Sequence, residues 1–280
     1  MSDLRCQNFA RMGLTIHYQL SAPAGSGPVE VQRLMSAANL AAWRRTGRNG
    51  FRTGGWGGWD RERRRRARRW RDVPLPGEYF TGLGPCGPCH YELEIEPVDG
   101  WMFEVDVGRD CEPMSVGLCQ YPVSVPVPWR LALELGAKDR RRTISTSLAR
   151  GWYFHGFAKT QFASLHGWKH FRRCHVGIIE FLAELKTLGW GVRINDEGEY
   201  WPRRSLTKLR RNLDEMNGVV AAAAGALKDM DEAINGRSAM ESPIFRHLQY
   251  ERLEAEGAAV TAPLVRLLDT ARKRQRTDAG

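Results

Sequence analysis

Between Arg44 and Arg71 the chain carries twelve arginines against two acids, Asp60 and Glu62, and no folded core can hold such a stretch. The rest of the sequence must fold around it. Its excess of ten charges equals the net charge of the whole chain, so the other 252 residues carry 30 bases and 30 acids. A uniformly basic nucleic-acid-binding body is excluded, and a basic segment alone remains. With 42% apolar and 10% aromatic residues, the remainder has material for a sizeable core.

Hydrophobic periodicity supplies the elements. Leu14, Ile16, Tyr18 and Leu20 alternate with Thr15, His17 and Gln19, the period-2 pattern of a half-buried strand. Pro28 opens a helix to Arg45, with Val31, Leu34, Met35, Ala38 and Trp43 at three- and four-residue spacing. Tyr91 to Glu96 and Trp101 to Val107 alternate on either side of Gly100 and read as a hairpin pair. Trp152 to Phe162 is a further strand, followed by a helix from Trp168 to Leu188 whose stripe is Phe171, Cys174, Ile178, Leu182 and Leu185. Trp190 to Ile194 returns as a strand, and the turn Asn195-Asp196-Glu197-Gly198 leads into Glu199-Tyr200-Trp201.

This order predicts an α+β class: a ferredoxin-like antiparallel sheet, elaborated by one or two strands, with helices on one face. Beyond Pro202 the pattern is helical, with Leu206, Leu209, Leu213, Met216, Val220, Leu227, Met230 and Ile234 on one face. Segments 243–256 and 263–274 form a second arm, and the alanines from Ala221 to Ala224 let backbones approach closely. The expected division is an α+β domain at 1–201, interrupted by an Arg/Gly-rich mobile arm at 44–90, and a C-terminal helical extension at 202–280. That helical pair packs on the sheet domain or on a second copy in a homodimer.

The opening residues, Met1 to Asn8, lack the basic-then-apolar run of a secretory leader, so a cytoplasmic location is expected. The longest apolar stretch, Val219 to Leu227, is far short of the roughly 18–20 residues that span a bilayer, and no membrane partner is expected. In a reducing compartment Cys6, Cys86, Cys89, Cys111, Cys119 and Cys174 read as buried thiols or metal ligands rather than disulfides.

Three groups of residues carry potential chemistry. Cys86-Gly87-Pro88-Cys89-His90 has the string of a haem attachment or thioredoxin-type pair, but no export leader precedes it and a strand, not a helix, follows. A zinc site from Cys86, Cys89, Cys111 and Cys119 is chemically allowed; the spacing from Cys111 to Cys119 fits no common knuckle, and unliganded thiols are the preferred reading, with no metal and no cofactor. The arginines Arg63, Arg64, Arg65, Arg66, Arg68 and Arg69 follow a Gly- and Trp-rich stretch, Thr53 to Trp59, that reads as linker; together they suit contact with RNA or DNA through residues 44–71. A competing partner lies in the same chain, because strand alternation places Glu92, Glu94, Glu96, Glu104 and Asp106 on one outward face that would attract the arm.

The third group is His155, Lys159 and Gln161 on the polar side of their strand, beside Asp196 and Glu197. Lys159 can neutralise an anionic group while His155 and Gln161 orient it by hydrogen bonds. An enzymatic version gives proton transfer to His155 or Glu197, or a metal to the His155/Lys159/Asp196 region. Against these stands a buried polar network joining sheet to helices. His175, beside the apolar stripe of its helix, reads as a hydrogen-bonded packing residue, and Asp196-Glu197-Gly198 has the composition of a plain turn.

The strings Lys159-Thr160-Gln161-Phe162-Ala163-Ser164, Phe171-Arg172-Arg173-Cys174-His175, Asp196 to Trp201 and the opening Leu14 to Tyr18 together resemble a group of uncharacterised bacterial proteins. The resemblance covers the opening strand and roughly 150–230, leaves out the arginine arm and the Cys86/Cys89 pair, and implies no activity. The expected function is a module that binds a small anionic ligand or a protein partner, leaning away from an enzyme. Nucleic-acid binding through the arm and metal-dependent catalysis are the alternatives.

Overall fold

The computed structural model describes residues 14–45, 52–53, 57–58, 77–84, 87–126, 143–146, 151–235 and 241–258. In chain order these form β1 (Thr15–Ser21), α1 (Pro28–Arg44), β2 (Arg52–Thr53), β3 (Gly57–Gly58), β4 (Gly77–Gly84), β5 (Gly87–Glu94), β6 (Asp99–Asp106), β7 (Met114–Gln120), β8 (Ser124–Pro126), β9 (Thr143–Ser145), β10 (Tyr153–Lys159), α2 (Trp168–Thr187), β11 (Gly191–Asp196) and α3 (Leu206–Asn235). Short 3-10 turns occupy Gln161–His166 and Pro243–Arg246, and α4 covers 250–258. Among the described residues no helix is long and apolar enough to cross a membrane.

The class is α+β. The main sheet runs β11-β1-β10-β7-β6-β2, with β3 also on β6, and its neighbours are antiparallel throughout. The order differs from a four-strand ferredoxin-like plan because β7 enters between β6 and β10. Met114–Gln120 gave no strand signal: six of its seven residues are buried, so its two faces do not alternate. The hairpin expected between Tyr91–Glu96 and Trp101–Val107 is likewise re-partnered. β5 pairs with β4 in a separate two-stranded sheet, and β6 pairs with β7.

Residues 44–90, read as one arm, are strand wherever they are described beyond Arg45. β2 and β3 add to the edge of β6, so part of the glycine-rich stretch read as linker is sheet edge. Arg52 pairs with Asp106 at 2.5 Å, joining the arm to one of the acids on the outward face. Arg45 meets Glu184 at 2.7 Å and Glu180 at 3.5 Å on α2.

Helix α1 starts at Pro28, whose missing N–H costs nothing in a first turn. It buries Val31, Leu34, Met35, Ala38, Ala41 and Ala42; Trp43, expected on this stripe, is 61% exposed. Helix α2 buries all five residues of its expected stripe, and with α1 it covers the face of the sheet formed by Ile16, Tyr18, Leu20, Phe154 and Ala158.

Three sequence expectations end short. The strand expected to reach Phe162 stops at Lys159, where the N–H and hydroxyl of Thr160 both turn to the carbonyl of Leu14. Glu199-Tyr200-Trp201 forms no strand, because the Asp196 carboxylate captures the N–H groups of Gly198 and Trp201 and curls the chain. Leu206 is 39% exposed, whereas Leu209 and Leu213 do enter the core. The C-terminal pair is antiparallel as expected: α3 and α4 touch at Gly218 and Gly257, and Ala221 and Ala224 cluster with Ile244 and Leu253. Segment 263–274 lies outside the described residues.

Candidate functional site

The period-2 alternation that drives Ile16, Tyr18 and Leu20 into the core turns His17 and Gln19 outward, and the ladders align their neighbours. Gln19 lies opposite His155 on β10 and Arg193 on β11; His17 lies opposite Phe157 and Asn195. Two rows of polar and aromatic side chains therefore cross three strands on the face that α1 and α2 leave open. His17, Gln19, His155, Arg193, Asn195 and Glu197 border a cleft of about 600 Å³ there, within the usual range for small-ligand sites.

Of the five residues expected to form a site, two reach this cleft. His155 borders it from β10. Glu197 borders it, but with both carboxylate oxygens engaged: Oε2 accepts the N–H of Thr15 at 2.9 Å, and Oε1 lies 3.2 Å from His17 Nε2. Lys159 is on the same face, four residues and about 13 Å along the strand from His155. Its ammonium lies 4.0 Å from Glu112 and 5.9 Å above the Phe157 ring.

Gln161 and Asp196 point inward, which corrects their assignment to a ligand face. Gln161 follows the strand rather than lying on it and is 1% exposed. Its Nε2 donates to Asn217 Oδ1 on α3 at 3.0 Å, and Asn217 Nδ2 donates in turn to Ser164 Oγ at 3.2 Å. Asp196 Oδ1 lies 3.0 Å from His175 Nε2, and His175 Nδ1 lies 2.8 Å from Thr160 Oγ1. The His175 and Asp196 side chains have no exposed surface. Burial pushes the Asp196 carboxyl up, but His175 and the N–H groups of Trp201 and Gly198 outweigh it and hold the carboxyl below the usual carboxylate range. Thr160, His175 and Asp196 have the residue types of a hydrolytic triad without a path for substrate. They tie β11 to α2 and to the end of β10.

These placements give opposite forecasts for two residues first grouped together. Gln161→Ala leaves Asn217 Oδ1 without its donor in a buried site and is expected to cost about 1–2 kcal/mol in urea unfolding. Lys159→Ala, at a partly exposed pair, is expected to cost less than about 1 kcal/mol in the same measurement.

The metal readings do not assemble. His155 and Lys159 are separated along β10 and Asp196 is in the core, so no common ion joins them. Cys119 lies opposite Tyr153, at one end of β10, while Cys111 Sγ is 3.6 Å from the carbonyl of Lys159 at the other. Six residues of strand, about 20 Å, keep those two thiols apart. Cys89 lies opposite Gly82 in the β4-β5 hairpin; Cys86 and the run Arg63 to Arg69 lie outside the described residues. Among the described residues no three His, Cys, Asp or Glu side chains are grouped to hold a metal.

Sequence reasoning missed Arg193, Gln19, His17 and Asn195. Their outward direction was readable from alternation, but their neighbourhood depends on β1 lying between β10 and β11, which no local pattern specifies. Comparison with protein-family models, curated proteins and solved structures gives no match to this chain.

Proposed function

We propose that the chain is a small-ligand-binding module whose site is the open face of β11, β1 and β10, taking a compact anion such as a carboxylate or phosphate ester. The observation that carries this reading is Arg193. Its guanidinium is exposed, it borders the cleft, and among the described residues no carboxylate pairs with it. Guanidinium presents a planar fork of donors that fits a carboxylate or phosphate in two-pronged fashion. Gln19 and Asn195 supply further donors on either side, and His155 lies across the row. Glu197, held by Thr15 and His17, shapes the end of the cleft instead of competing for the cation.

The reading needs no reacting group, and Glu197, the one carboxylate among the described residues that border the cleft, has both oxygens occupied. Thermal-shift titration of the full chain with inorganic phosphate, citrate and nucleoside monophosphates is the test. At least one anion is expected to raise the melting temperature of the wild-type chain in a saturable way, and Arg193→Ala is expected to abolish that rise while shifting the unliganded melting temperature by no more than a degree or two. Equal responses of wild type and Arg193→Ala, or no response to any anion, would remove the proposal.

A further inference from the structure

We propose that the exposed face of the first turns of α2 is a docking surface for a nucleic-acid strand, gripped through its phosphates by Lys169, Arg172 and Arg173. The surface shares no residue with the sheet-face cleft.

Outside the arginine-rich stretch the chain has equal numbers of bases and acids, but that balance is not local. From His166 to Arg173 the sequence runs His-Gly-Trp-Lys-His-Phe-Arg-Arg without an acid, closing the 3-10 turn and opening α2. Lys169, Arg172 and Arg173 are exposed and, with His166 and His170, border a surface cleft of about 500 Å³. Lys169 precedes the two arginines by three and four positions, so the three charges stand within about one turn, roughly 5.4 Å along the axis.

The acids nearby are engaged elsewhere. Glu180, the one carboxylate among the described residues that border this cleft, pairs with Arg45 at 3.5 Å. Asp110, on the β6-β7 connection, lies 2.6 Å from His166, 3.4 Å from Arg246 and 3.7 Å from Arg109. Among the described residues no carboxylate pairs with Lys169, Arg172 or Arg173. His170 holds Arg173 without neutralising it: Nε2 donates to the carbonyl of Arg109 at 3.0 Å, which leaves Nδ1 to accept from Arg173 Nη2 at 3.0 Å.

This order of charges works against the helix. Cations near an amino end oppose the helix dipole, and like charges three or four positions apart repel. Helix α1 shows the favourable arrangement, with Glu30 in its first turn and Arg44 in its last; α2 has no acid in its first turn. A polyanion laid across the three charges offsets both penalties. A strand of nucleic acid suits them because its phosphates repeat as the cations do. A lipid surface would reward a large apolar side chain beside the charges, and the described border of the cleft offers only the half-buried Val176. The arginine-rich stretch is also joined to the fold here, since its second arginine, Arg45, is seated on Glu180.

The test is fluorescence anisotropy of a labelled single-stranded RNA of about 20 uridines, titrated with the full chain over a potassium chloride series. Wild type is expected to bind saturably and to weaken steeply with salt. The variant Lys169→Gln/Arg172→Gln/Arg173→Gln is expected to flatten the slope of log affinity against log salt by about 2, because each single-strand phosphate contact contributes about 0.7; at about 0.1 M salt that is on the order of 100-fold weaker binding. The double variant Lys169→Gln/Arg172→Gln, which keeps the Arg173 to His170 contact, is expected to flatten it by about 1.4. Arg33→Gln/Arg211→Gln/Lys228→Gln removes the same charge from exposed positions on α1 and α3 and is expected to keep the wild-type slope. All three variants are expected to melt within a degree or two of wild type. Arg193→Ala is expected to bind the RNA as wild type does, which separates this surface from the sheet-face site. No binding by wild type at low salt, an unchanged slope in both α2 variants, or equal losses in the α2 and control triple variants would overturn the proposal. So would capture of the chain by phosphatidylserine vesicles in place of the RNA, which would make the surface a membrane one.

Discussion

Asp196→Ala is expected to lower the unfolding free energy by about 3–5 kcal/mol, the cost of removing one partner from a buried, hydrogen-bonded pair. The carboxylate serves four groups at once: His175, the N–H of Gly198, the N–H of Trp201 and, through His175, the Thr160 hydroxyl. Deleting it leaves His175 Nε2 and two backbone donors without partners where neither side chain of the pair reaches the surface. His175→Ala should cost a similar amount, and the double variant should cost much less than the sum, because both substitutions break the same network. Urea unfolding measures this as a shift in midpoint at constant slope. A loss below 1 kcal/mol for both single variants would show that the network does not carry the join between β11 and α2. The pH dependence has a fixed sign. Since the folded carboxyl lies below its unfolded value of about 3.9, its contribution is complete above that pH. It is lost as pH falls through the lower, folded value. Wild type should therefore lose stability on acidification below about pH 4 more steeply than Asp196→Ala does.

Gly156→Ala is expected to cost about 1–3 kcal/mol by overpacking, and Gly156→Val more. The Tyr18 ring occupies the space beside Gly156, its partner on the neighbouring strand, and an added Cβ would meet Cε2, Cζ and the hydroxyl oxygen at 2.6 Å. Tyr18 cannot retreat cheaply. Its ring is 1% exposed, and its hydroxyl reaches across β10 to donate to the carbonyl of Ser115 on β7 at 2.6 Å. Burial pushes that hydroxyl far above its usual range, so it remains a neutral donor at any ordinary pH. One side chain thus links three strands, and the missing side chain at Gly156 makes the span available. In a double-mutant cycle, Tyr18→Leu should relieve the clash and make Gly156→Ala nearly neutral. A Gly156→Ala protein as stable as wild type would sink this account.

The helices and outer strands were legible because each buries one face only. Phe171, Cys174, Ile178, Leu182 and Leu185 repeat at helical spacing and are all buried, and Leu14 to Leu20 alternates as it pairs. β7 was illegible for the converse reason: burial on both faces erases alternation, and without β7 neither the partner of β6 nor the sheet order follows. Gln161 was misplaced because the period-2 pattern runs on past Lys159 in sequence, while Thr160 turns the chain by capturing Leu14, 146 positions earlier. Asp196 was misread for a similar reason. Its sequence neighbours describe a surface turn, and only the docking of α2 brings His175 over it. The face proposed to bind was half legible: its direction follows from His155 and Lys159, its composition from two ladders that join distant segments.

The place of β1 between β10 and β11 has a consequence for how the chain is made. Thr15 pairs with Lys159, and Ile16 pairs with Asp196. Both partners lie more than 140 residues further along, so β1, the earliest described strand, is made long before either of its neighbours. At roughly 5–20 residues per second, several seconds or more separate the two events. Throughout that interval Leu14, Ile16, Tyr18 and Leu20 form an apolar edge with no sheet to join. Mispairing or chaperone capture would compete for that edge during its wait on the ribosome.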